Sequence, residues 1–482
     1  MTTILNARLI ALVDELLAAV RASLVTLGIS APLVIVRGDG SLLSDTATRH
    51  APIETILSGP AASVVGAAHL VGQRTALVAD IGGTTTDVAV MLDGRPRLNP
   101  AGATVGGHLT MVQAVDVTTV GLGGDSTVTP HASPDRRSQL IAGPGRVLPI
   151  SLLAVEHPEF VRSNLRRQSE LSTRRESFAQ FVVPTGRTPK RSISRIEQDV
   201  LDALGAKPAA ADQFIDSGAR SLGIDKLAQA GFVRRCGFTP TDAAHILGIQ
   251  ADFDADTARL AGTLLVQVWN GLGFGPWDDV EHLARDVMAT VTRRSAEIFL
   301  DVCLARDGLG GTGSASTPIM AAALDQVVGL TAPSIQITLP VVGLGASAAT
   351  YHTGVAQLLG TDVIIPEHAK VANAVGAVVG QVRTTLEARI TQPHRGTYAI
   401  HGVPDNARFQ DLDEARKFLE ATLAGAVAAK ATVEGAEGAE ISITWQDKTV
   451  TVGDKPYLVE GHLTVEAIGR PRLADRPVSG AG

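Results

Sequence analysis

The chain has 482 residues, of which 45% are apolar, and its 42 Lys+Arg against 49 Asp+Glu give a formal net charge of −7. This composition is typical of a folded protein with a sizeable core, and at about 100–200 residues per domain the length predicts two to four domains. The acidic balance argues against a nucleic-acid binder. The two cysteines are far apart and the 12 histidines show no HxH or HxxxH spacing, which excludes a disulfide framework and a zinc module.

The first 25 residues predict a helix rather than a targeting segment. They lack a cationic start, and Asp14, Glu15 and Arg21 interrupt the apolar residues before they reach the length of a signal peptide or a membrane span. We therefore expect a cytoplasmic protein that is not bound to a membrane. Apolar residues recur at steps of three and four, which predicts an amphipathic helix with one buried face: Ile10, Val13, Leu17, Val20 and Leu24.

An alternation of helices and strands follows. Residues 31–37 predict a buried strand, 61–72 a helix of small residues, and 75–81 and 87–92 two further strands, of which the second ends at the hairpin signal Asp93-Gly94. This alternation of helices and strands predicts an α/β fold for residues 1–130.

Residues 131–310 are predicted to be mostly helical. Thr239-Pro240-Thr241-Asp242 is a helix start, with Thr as the N-cap and Pro in the first turn, and a long helix is expected over about 278–306. Strand signals return at 335–342 and 362–365, so that residues 311–394 return to the α/β core. Residues 395–482 predict strands around one Ala-rich helix at 411–431, which indicates a small α+β C-terminal domain.

The strongest chemical signal is the segment Asp80–Val88, which reads DIGGTTTDV. An apolar strand delivers Asp80 at its end, two glycines permit a tight turn, and three threonines supply hydroxyls, which together suit a polyphosphate. Asp80 could hold Mg²⁺ directly or through water, and Asp87 could brace the hydroxyls or orient a water molecule. The alternative is a hairpin whose threonines only satisfy local backbone groups. The candidate phosphate-binding residues are Asp80, Gly82, Gly83, Thr84, Thr85 and Thr86.

Two weaker clusters accompany this segment. A glycine-rich stretch makes His108, Asp116 and Asp125 candidates for metal binding or proton transfer, although each could instead cap a turn. Residues 343–347 (GLGAS) come after a strand and before a helix, which is a usual way to bring backbone against a nucleotide and also a common turn of α/β proteins. No GxSxG, Walker A lysine or HExxH motif occurs, so the standard serine hydrolase, P-loop and zincin mechanisms lack their motifs.

The strand–DIGGTTTD turn resembles the second phosphate loop of the superfamily of actin, heat-shock chaperones and sugar kinases. Several further motifs resemble, in the same order, those of the hydantoinase A/oxoprolinase family, and the similarity runs from residue 1 to at least 380. They are Asn6–Arg8, Val36–Gly40, Ser58–Ala61, Asp80–Asp87, Gly121–Ser126 and Gly237–Asp242. The resemblance implies an actin-like ATPase core of the ribonuclease H-like type, with a helical insertion and the small C-terminal domain.

Members of this family couple ATP hydrolysis to the opening of cyclic amides such as hydantoins or 5-oxoproline, and relatives use ATP to carboxylate ketones. The resemblance therefore implies ATP and Mg²⁺, or another divalent metal, at Asp80 and the loop after it. Gly343, Gly345 and Ser347 would form the adenosine-side turn. His108, Asp116 and Asp125 would serve the substrate or the metal, and Asp87 is a fourth candidate catalytic residue.

One departure from the family pattern concerns the start of the chain. Family members normally begin with a domain that carries a first Asp-Gly-Gly-Thr phosphate loop, and no second strand-Asp-x-Gly-Gly-Thr occurs here. We expect a partner subunit or a missing N-terminal domain to complete the nucleotide clamp. The expected function is ATP-dependent opening of cyclic amides; the alternatives are a subunit of an ATP-dependent ketone carboxylase and a non-catalytic actin-like nucleotide-binding protein.

Overall fold

The structure is a computed structural model that describes residues 2–105, 107–131, 140–189, 192–404, 407–452 and 455–472. Its contacts divide the chain into two compact units. Unit 1 comprises Met1–Arg74, Met91–Asp116 and Ala372–Gly482, and unit 2 comprises Thr75–Val90 and Val117–Val371. No helix in the described ranges is both long enough and apolar enough to cross a membrane.

The described residues form helices and strands with the following bounds. The α-helices are α1 Thr2–Thr26, α2 Asp45–His50, α3 Ser58–Val71, α4 Ile150–Glu156, α5 Pro158–Glu170, α6 Arg195–Leu204, α7 Ala211–Phe214, α8 Gly218–Gln229, α9 Pro240–Ile246, α10 Ala255–Gly271, α11 Val280–Arg306, α12 Pro318–Leu324, α13 Ala348–Leu358, α14 Ala372–Val379 and α15 Leu412–Glu434. Short 3₁₀ turns occur at Pro52–Thr55, Ser314–Ser316 and Ala369–Val371. The strands are β1 Val34–Val36, β2 Leu42–Ser44, β3 Ala76–Ile81, β4 Thr86–Leu92, β5 Arg95–Pro96, β6 Thr104–Val105, β7 His108–Leu109, β8 Val117–Val120, β9 Ser126–Pro130, β10 Leu140–Arg146, β11 Leu148–Pro149, β12 Phe181–Pro184, β13 Ala209–Ala210, β14 Val233–Gly237, β15 Val341–Leu344, β16 Val363–Ile364, β17 Val382–His394, β18 Thr397–His401, β19 Arg408–Phe409, β20 Ala436–Val452 and β21 Lys455–Pro471.

Unit 1 is built on a sheet with the strand order β1-β2-β17-β18-β19, to which β21 adds beside β17 and β20 beside β21. Helix α15 packs on this sheet through Leu419, Leu423 and Val427, which are buried at four-residue spacing on one face of the helix. Asp411 caps the start of α15 by accepting hydrogen bonds from the amides of Asp413 and Glu414. The sheet and α15 enclose the core of this unit.

Helices α3 and α14 of unit 1 cross in direct backbone contact. A Cβ atom at Gly66 would lie 1.9 Å from Ala372 O, and one at Gly376 would lie 1.9 Å from Ala62 O. Real Cβ atoms do not approach backbone oxygens so closely, so only glycine permits this packing distance at either position.

Helix α1 forms where the spacing of apolar residues predicts it, but its apolar face is less buried than we expect from that pattern. In the described chain, Leu17 is 2% exposed, whereas Ile10 is 37% exposed. Within unit 1, α1 contacts α2 and the 3₁₀ turn Pro52–Thr55. These partners are short, so they cover only part of a 25-residue helix.

Unit 2 contains a sheet in which the order β16-β15-β3-β4 is extended by β8 beside β4. Strands β16, β15 and β3 are parallel, and β8 is antiparallel to β4. Strand β3 is buried at every residue except Asp80, as its continuous apolar run predicts. A second sheet, β11-β14-β12-β13, and the helices from α4 to α13 complete this unit. It contains one large apolar core and a smaller one, in which α6 and α8 pack against β12 and β14.

Several predicted elements of unit 2 are confirmed and one is displaced. The long helix expected over 278–306 is α11, and Thr239 caps α9 as predicted. The strand expected over 335–342 begins only at Val341. Pro340 explains the difference, because proline has no N–H with which to join a ladder.

Candidate functional site

The candidate site of unit 2 lies at the carboxyl ends of β3 and β15. These strands are parallel, and their register pairs Leu344 with Asp80. Because parallel strands end at the same edge of a sheet, the turn after β3 and the turn after β15 leave that edge together. Asp80 is half-buried there, with its carboxylate beside the second turn.

The turn between β3 and β4 has the geometry of a tight hairpin. The amide of Gly82 donates to Thr85 O over 3.0 Å, and no backbone carbonyl among the described residues accepts from the amides of Gly83 or Thr84. The Thr84 side chain is exposed and that of Thr85 is half-buried. Two amides and two hydroxyls are thus available for an anion at this turn.

A second glycine loop packs directly on this hairpin. The amide of Gly124 donates to Gly82 O over 3.2 Å, and the amide of Asp125 donates to Gly83 O over 2.7 Å. A Cβ atom at Gly123 would lie 2.5 Å from Gly82 O, so the loop can approach only because this residue is glycine. The two glycine-rich segments predicted from the sequence therefore form one surface.

The third glycine loop, after β15, lies against Asp80. Gly345 has φ of +95°, and a Cβ atom there would lie 2.6 Å from Asp80 Oδ1 and 2.3 Å from Ile81 O. Ser347 is buried immediately before α13, so the amino-terminal end of that helix is in the same loop. A helix amino terminus favours a bound anion, because its first amides lack helical partners.

Helix α9 supports the second glycine loop through hydrogen bonds. Both the amide and the hydroxyl of Thr241 donate to Gly124 O over 2.9 Å. The fully buried carboxylate of Asp242 completes a capping box with Thr239 and accepts from the amide of Ser151 over 2.8 Å. The Thr-Pro-Thr-Asp motif predicts the helix start, but the contact between Thr241 and the glycine loop is long-range and leaves no signal in the spacing.

Two carboxylates flank the loops, and burial raises the pKa of both above the usual range for aspartate. For Asp87 the hydrogen bond from Thr119 Oγ1, 2.5 Å long, opposes this effect, and the nearby charge of Asp80 adds to it. For Asp125 the opposing group is Arg146, whose Nη2 lies 3.2 Å from Asp125 Oδ2. The pKa of each carboxyl is therefore closer to neutral pH than the pKa of an exposed aspartate, which suits proton transfer.

Tyr351 on α13 is a further polar residue near this cluster. Its hydroxyl is buried and has no hydrogen-bond partner in the described part of the chain. Burial raises the pKa of the phenol, and the charge of Asp125 raises it further. Nothing in the sequence pattern distinguishes this tyrosine from an ordinary core residue.

The other sequence-predicted residues have different surroundings. Thr86 is fully buried, and its hydroxyl donates to Leu122 O over 2.7 Å, so it joins the first loop to the second. His108 and Asp116 belong to unit 1, where His108 is exposed on β7 and the amide of Asp116 donates to Arg97 O. Gly106 lies outside the described residues.

The donor set at Asp80 fits a magnesium ion that is held mainly by phosphate and water. The described residues contain no cluster of three or more His, Cys, Asp or Glu side chains that would form an all-protein metal cage. Mg²⁺ does not need such a cage, since it keeps several waters and binds one or two carboxylates together with substrate phosphates. The half-buried carboxylate of Asp80, which lies beside the backbone of Gly345, meets that requirement.

Comparison with known families identifies the first part of the chain. Residues 1–138, which include the first two loops of the site, match the model of the hydantoinase/oxoprolinase family. The predicted resemblance to the hydantoinase/oxoprolinase family is confirmed over these residues. A search of the curated proteins gives no match.

Two solved structures share the fold over almost the whole chain. One is a nucleotide-free acetone carboxylase described as carrying out ATP-dependent acetone carboxylation, with a TM-score of 0.51 and 14% identity over 97% of this chain. The other is an ATP-dependent caprolactamase from Pseudomonas jessenii, with a TM-score of 0.53 and 15% identity over 98% of this chain. The present chain covers 56% and 58% of these structures, less than two thirds of either.

Proposed function

We propose that unit 2 is the nucleotide-binding part of an actin-like ATPase core and that it binds Mg-ATP. The observation that carries this proposal is the meeting of three glycine loops near Asp80, where the amides of Gly83 and Thr84 have no backbone acceptor among the described residues and the absence of a side chain at Gly345 leaves room for the Asp80 carboxylate. Polyphosphate sites are typically built this way, from backbone amides that need close approach and a carboxylate for the metal.

Each residue of the nucleotide site has its own role in binding or proton transfer. The amides of Gly83 and Thr84 and the hydroxyls of Thr84 and Thr85 bind phosphate oxygens, and Asp80 binds Mg²⁺ directly or through water. The loop at Gly345 and Ser347 lies on the adenosine side. Asp87 and Asp125 take up or release protons, and Thr86 fixes the distance between the first two loops.

We propose that the reaction is the ATP-dependent opening of a cyclic amide. The γ-phosphoryl group of ATP would pass to the amide oxygen and ADP would leave, which turns a poor electrophile into a good one. Water would then add to the amide carbon, the C–N bond would break as the nitrogen takes up a proton, and hydrolysis of the resulting acyl phosphate would release phosphate. The chain would position the ring and neutralise charge. Since the chain covers less than two thirds of its structural relatives, we propose that a further domain or a partner subunit completes the clamp.

The test of nucleotide binding is a calorimetric titration of the full chain with Mg-ATP. The Asp80→Ala variant is expected to lose binding by about tenfold or more, since a charge-assisted contact is removed. The matched control is Asp199→Ala, which makes the same change at an exposed position on α6. Equal binding by all three proteins would contradict the assignment of Asp80.

Turnover distinguishes the two reactions that the relatives perform. If the reaction is ring opening, ATP hydrolysis should require a cyclic amide and should not require bicarbonate. ATP hydrolysis that requires both bicarbonate and a ketone would instead favour a carboxylase subunit. Nucleotide bound in a one-to-one ratio without turnover, in the presence of the completing domain, would favour a non-catalytic role.

A further inference from the structure

Unit 2 contains a cavity of about 340 Å³ that the nucleotide site does not use, and we call it the aromatic cavity. It is lined mainly by large apolar side chains, among them Phe178, Phe181, Phe238, Leu265, Trp269 and Phe274. Its volume equals that of roughly eleven water molecules. The cavity is partly open, since Glu176 and Gln180 in its lining are exposed, and a mainly apolar pocket of this size is typical of a small-molecule site.

The wall of the aromatic cavity is bonded directly to the second glycine loop. Val147 lines the cavity, and its amide donates to Asp125 O over 3.0 Å. Thr127 and Val128, also in the wall, follow Asp125 on β9 after a single residue. A group bound in the cavity would therefore contact residues that are only a few positions along the chain from the loop that packs on the proposed phosphate turn.

A second part of the wall leads to the same loop. Gly237 lines the cavity at the end of β14, and a Cβ atom there would lie 3.7 Å from Val147 Cγ2. Two residues later the chain enters the capping box of α9, where Thr241 holds Gly124 O. Both parts of the wall are thus continuous with the segments that position the nucleotide loops.

The charged side chains among the described lining residues disfavour an anionic ligand. Arg235 is the cation among the described lining residues, and its Nε lies 2.8 Å from Asp225 Oδ1 while its Nη2 donates to Ser221 Oγ over 3.2 Å. Glu176 is the acidic residue of the described lining, and its side chain is exposed. A ligand carboxylate would meet a neutralised arginine, aromatic rings and a like charge, and burying an unpaired carboxylate is costly.

We propose that the aromatic cavity binds the ring of the substrate, and that this substrate is an uncharged cyclic amide without a carboxylate substituent. The proposal rests on the proposed function, because it assigns the ring to a cavity whose walls carry the nucleotide loops. It narrows the substrate class, since a simple lactam fits these charges and 5-oxoproline does not.

The first test compares three ligands of the full chain in the absence of nucleotide by saturation-transfer NMR. 2-Pyrrolidinone and L-5-oxoproline differ only by the carboxylate, and ε-caprolactam adds apolar ring atoms. We expect affinity to rise from 2-pyrrolidinone to ε-caprolactam and to be lower for 5-oxoproline by about tenfold or more. Equal or tighter binding of 5-oxoproline, or no lactam binding by the folded chain, would overturn the proposal.

The second test locates the ligand. Leu265→Trp fills the cavity from α10 and Val128→Phe fills it from β9, so one variant remains if the other does not fold. Each is expected to weaken ε-caprolactam binding about tenfold and leave Mg-ATP binding unchanged, whereas Asp80→Ala should do the reverse. Lactam binding that survives both fillings would refute the cavity assignment, whereas Mg-ATP binding that survives Asp80→Ala would refute only the nucleotide site.

Discussion

Gly345 lies against the carboxylate of Asp80, so close that a Cβ atom would stand 2.6 Å from Oδ1. The parallel register of β15 and β3 produces this contact by pairing Leu344 with Asp80. The residue that presents the carboxylate and the residue that leaves room for it are thus far apart in sequence and adjacent in the sheet.

Gly345→Ala is expected to abolish Mg-ATP binding while the chain still folds. The positive φ costs about 1 to 3 kcal/mol, and the methyl group would displace Asp80 or the backbone of Ile81. Gly308→Ala is the matched control, since Gly308 has φ of +70° and a Cβ atom added there would meet nothing within 4 Å. Calorimetry with Mg-ATP separates the two, and binding lost equally in both would argue for strain alone.

Thr241→Val is expected to loosen the second glycine loop. Valine keeps the shape of threonine but removes the hydroxyl that donates to Gly124 O, at a cost of about 1 kcal/mol. Hydrogen exchange at the amides of Gly124 and Asp125 should accelerate. Thr263→Val, which removes a hydroxyl bonded within the exposed side of α10, should leave these amides unchanged. Unchanged exchange in Thr241→Val would show that the backbone contacts suffice.

Arg146→Ala is expected to raise the pKa of Asp125 further, because it removes the cation that opposes the effect of burial. If the ionised carboxylate of Asp125 is needed for turnover, the acid limb of the pH–rate profile should move to higher pH, and Arg146→Lys should restore part of the shift. A profile that does not move in Arg146→Ala would exclude Asp125 from the titration that limits activity.

Stability should depend on pH through His352, which lies against Gly343 in the core of unit 2. Burial lowers the pKa of His352 to about 4 from a usual value of 6.5. The unfolded chain therefore binds the proton more tightly, so stability is complete above pH 6.5 and decreases as pH falls toward 4, by about 3 kcal/mol in all.

Thermal melts of His352→Leu should therefore show less loss of stability between pH 6.5 and pH 5 than those of the wild type. Leu359→Ala, which removes a buried side chain at the end of α13 without removing a titrating group, should lower stability equally at both pH values. The same loss between these pH values in His352→Leu and the wild type would contradict the role of the imidazole.

The sequence predicts much of the framework because local signals there agree with the tertiary structure. The apolar run before Asp80 gives β3, and the Asp93-Gly94 signal gives a hairpin in which both residues have positive φ. The capped helix at Thr239 and the long helix α11 also follow from local rules.

The remainder depends on contacts that no spacing encodes. The meeting of Asp80 with Gly345 requires the strand register, and the support of Gly124 by Thr241 joins segments 117 residues apart. Burial also depends on distant contacts. The apolar residues of α1 recur periodically, but this pattern does not indicate how long the packing partner is, and Ile10 is exposed. The aromatic cavity also has no sequence signature, because its walls come from separate strands, helices and loops.

The crossing of α3 and α14 has a consequence for how this sequence can vary. Gly66 and Gly376 each face backbone atoms, not side chains, of the opposite helix. A substitution at one of them cannot be rescued by a compensating change at the other, because no residue is smaller than glycine and the obstructing oxygens belong to every amino acid. Saturation mutagenesis of both codons together should therefore return the original pair and no second-site suppressors at the crossing.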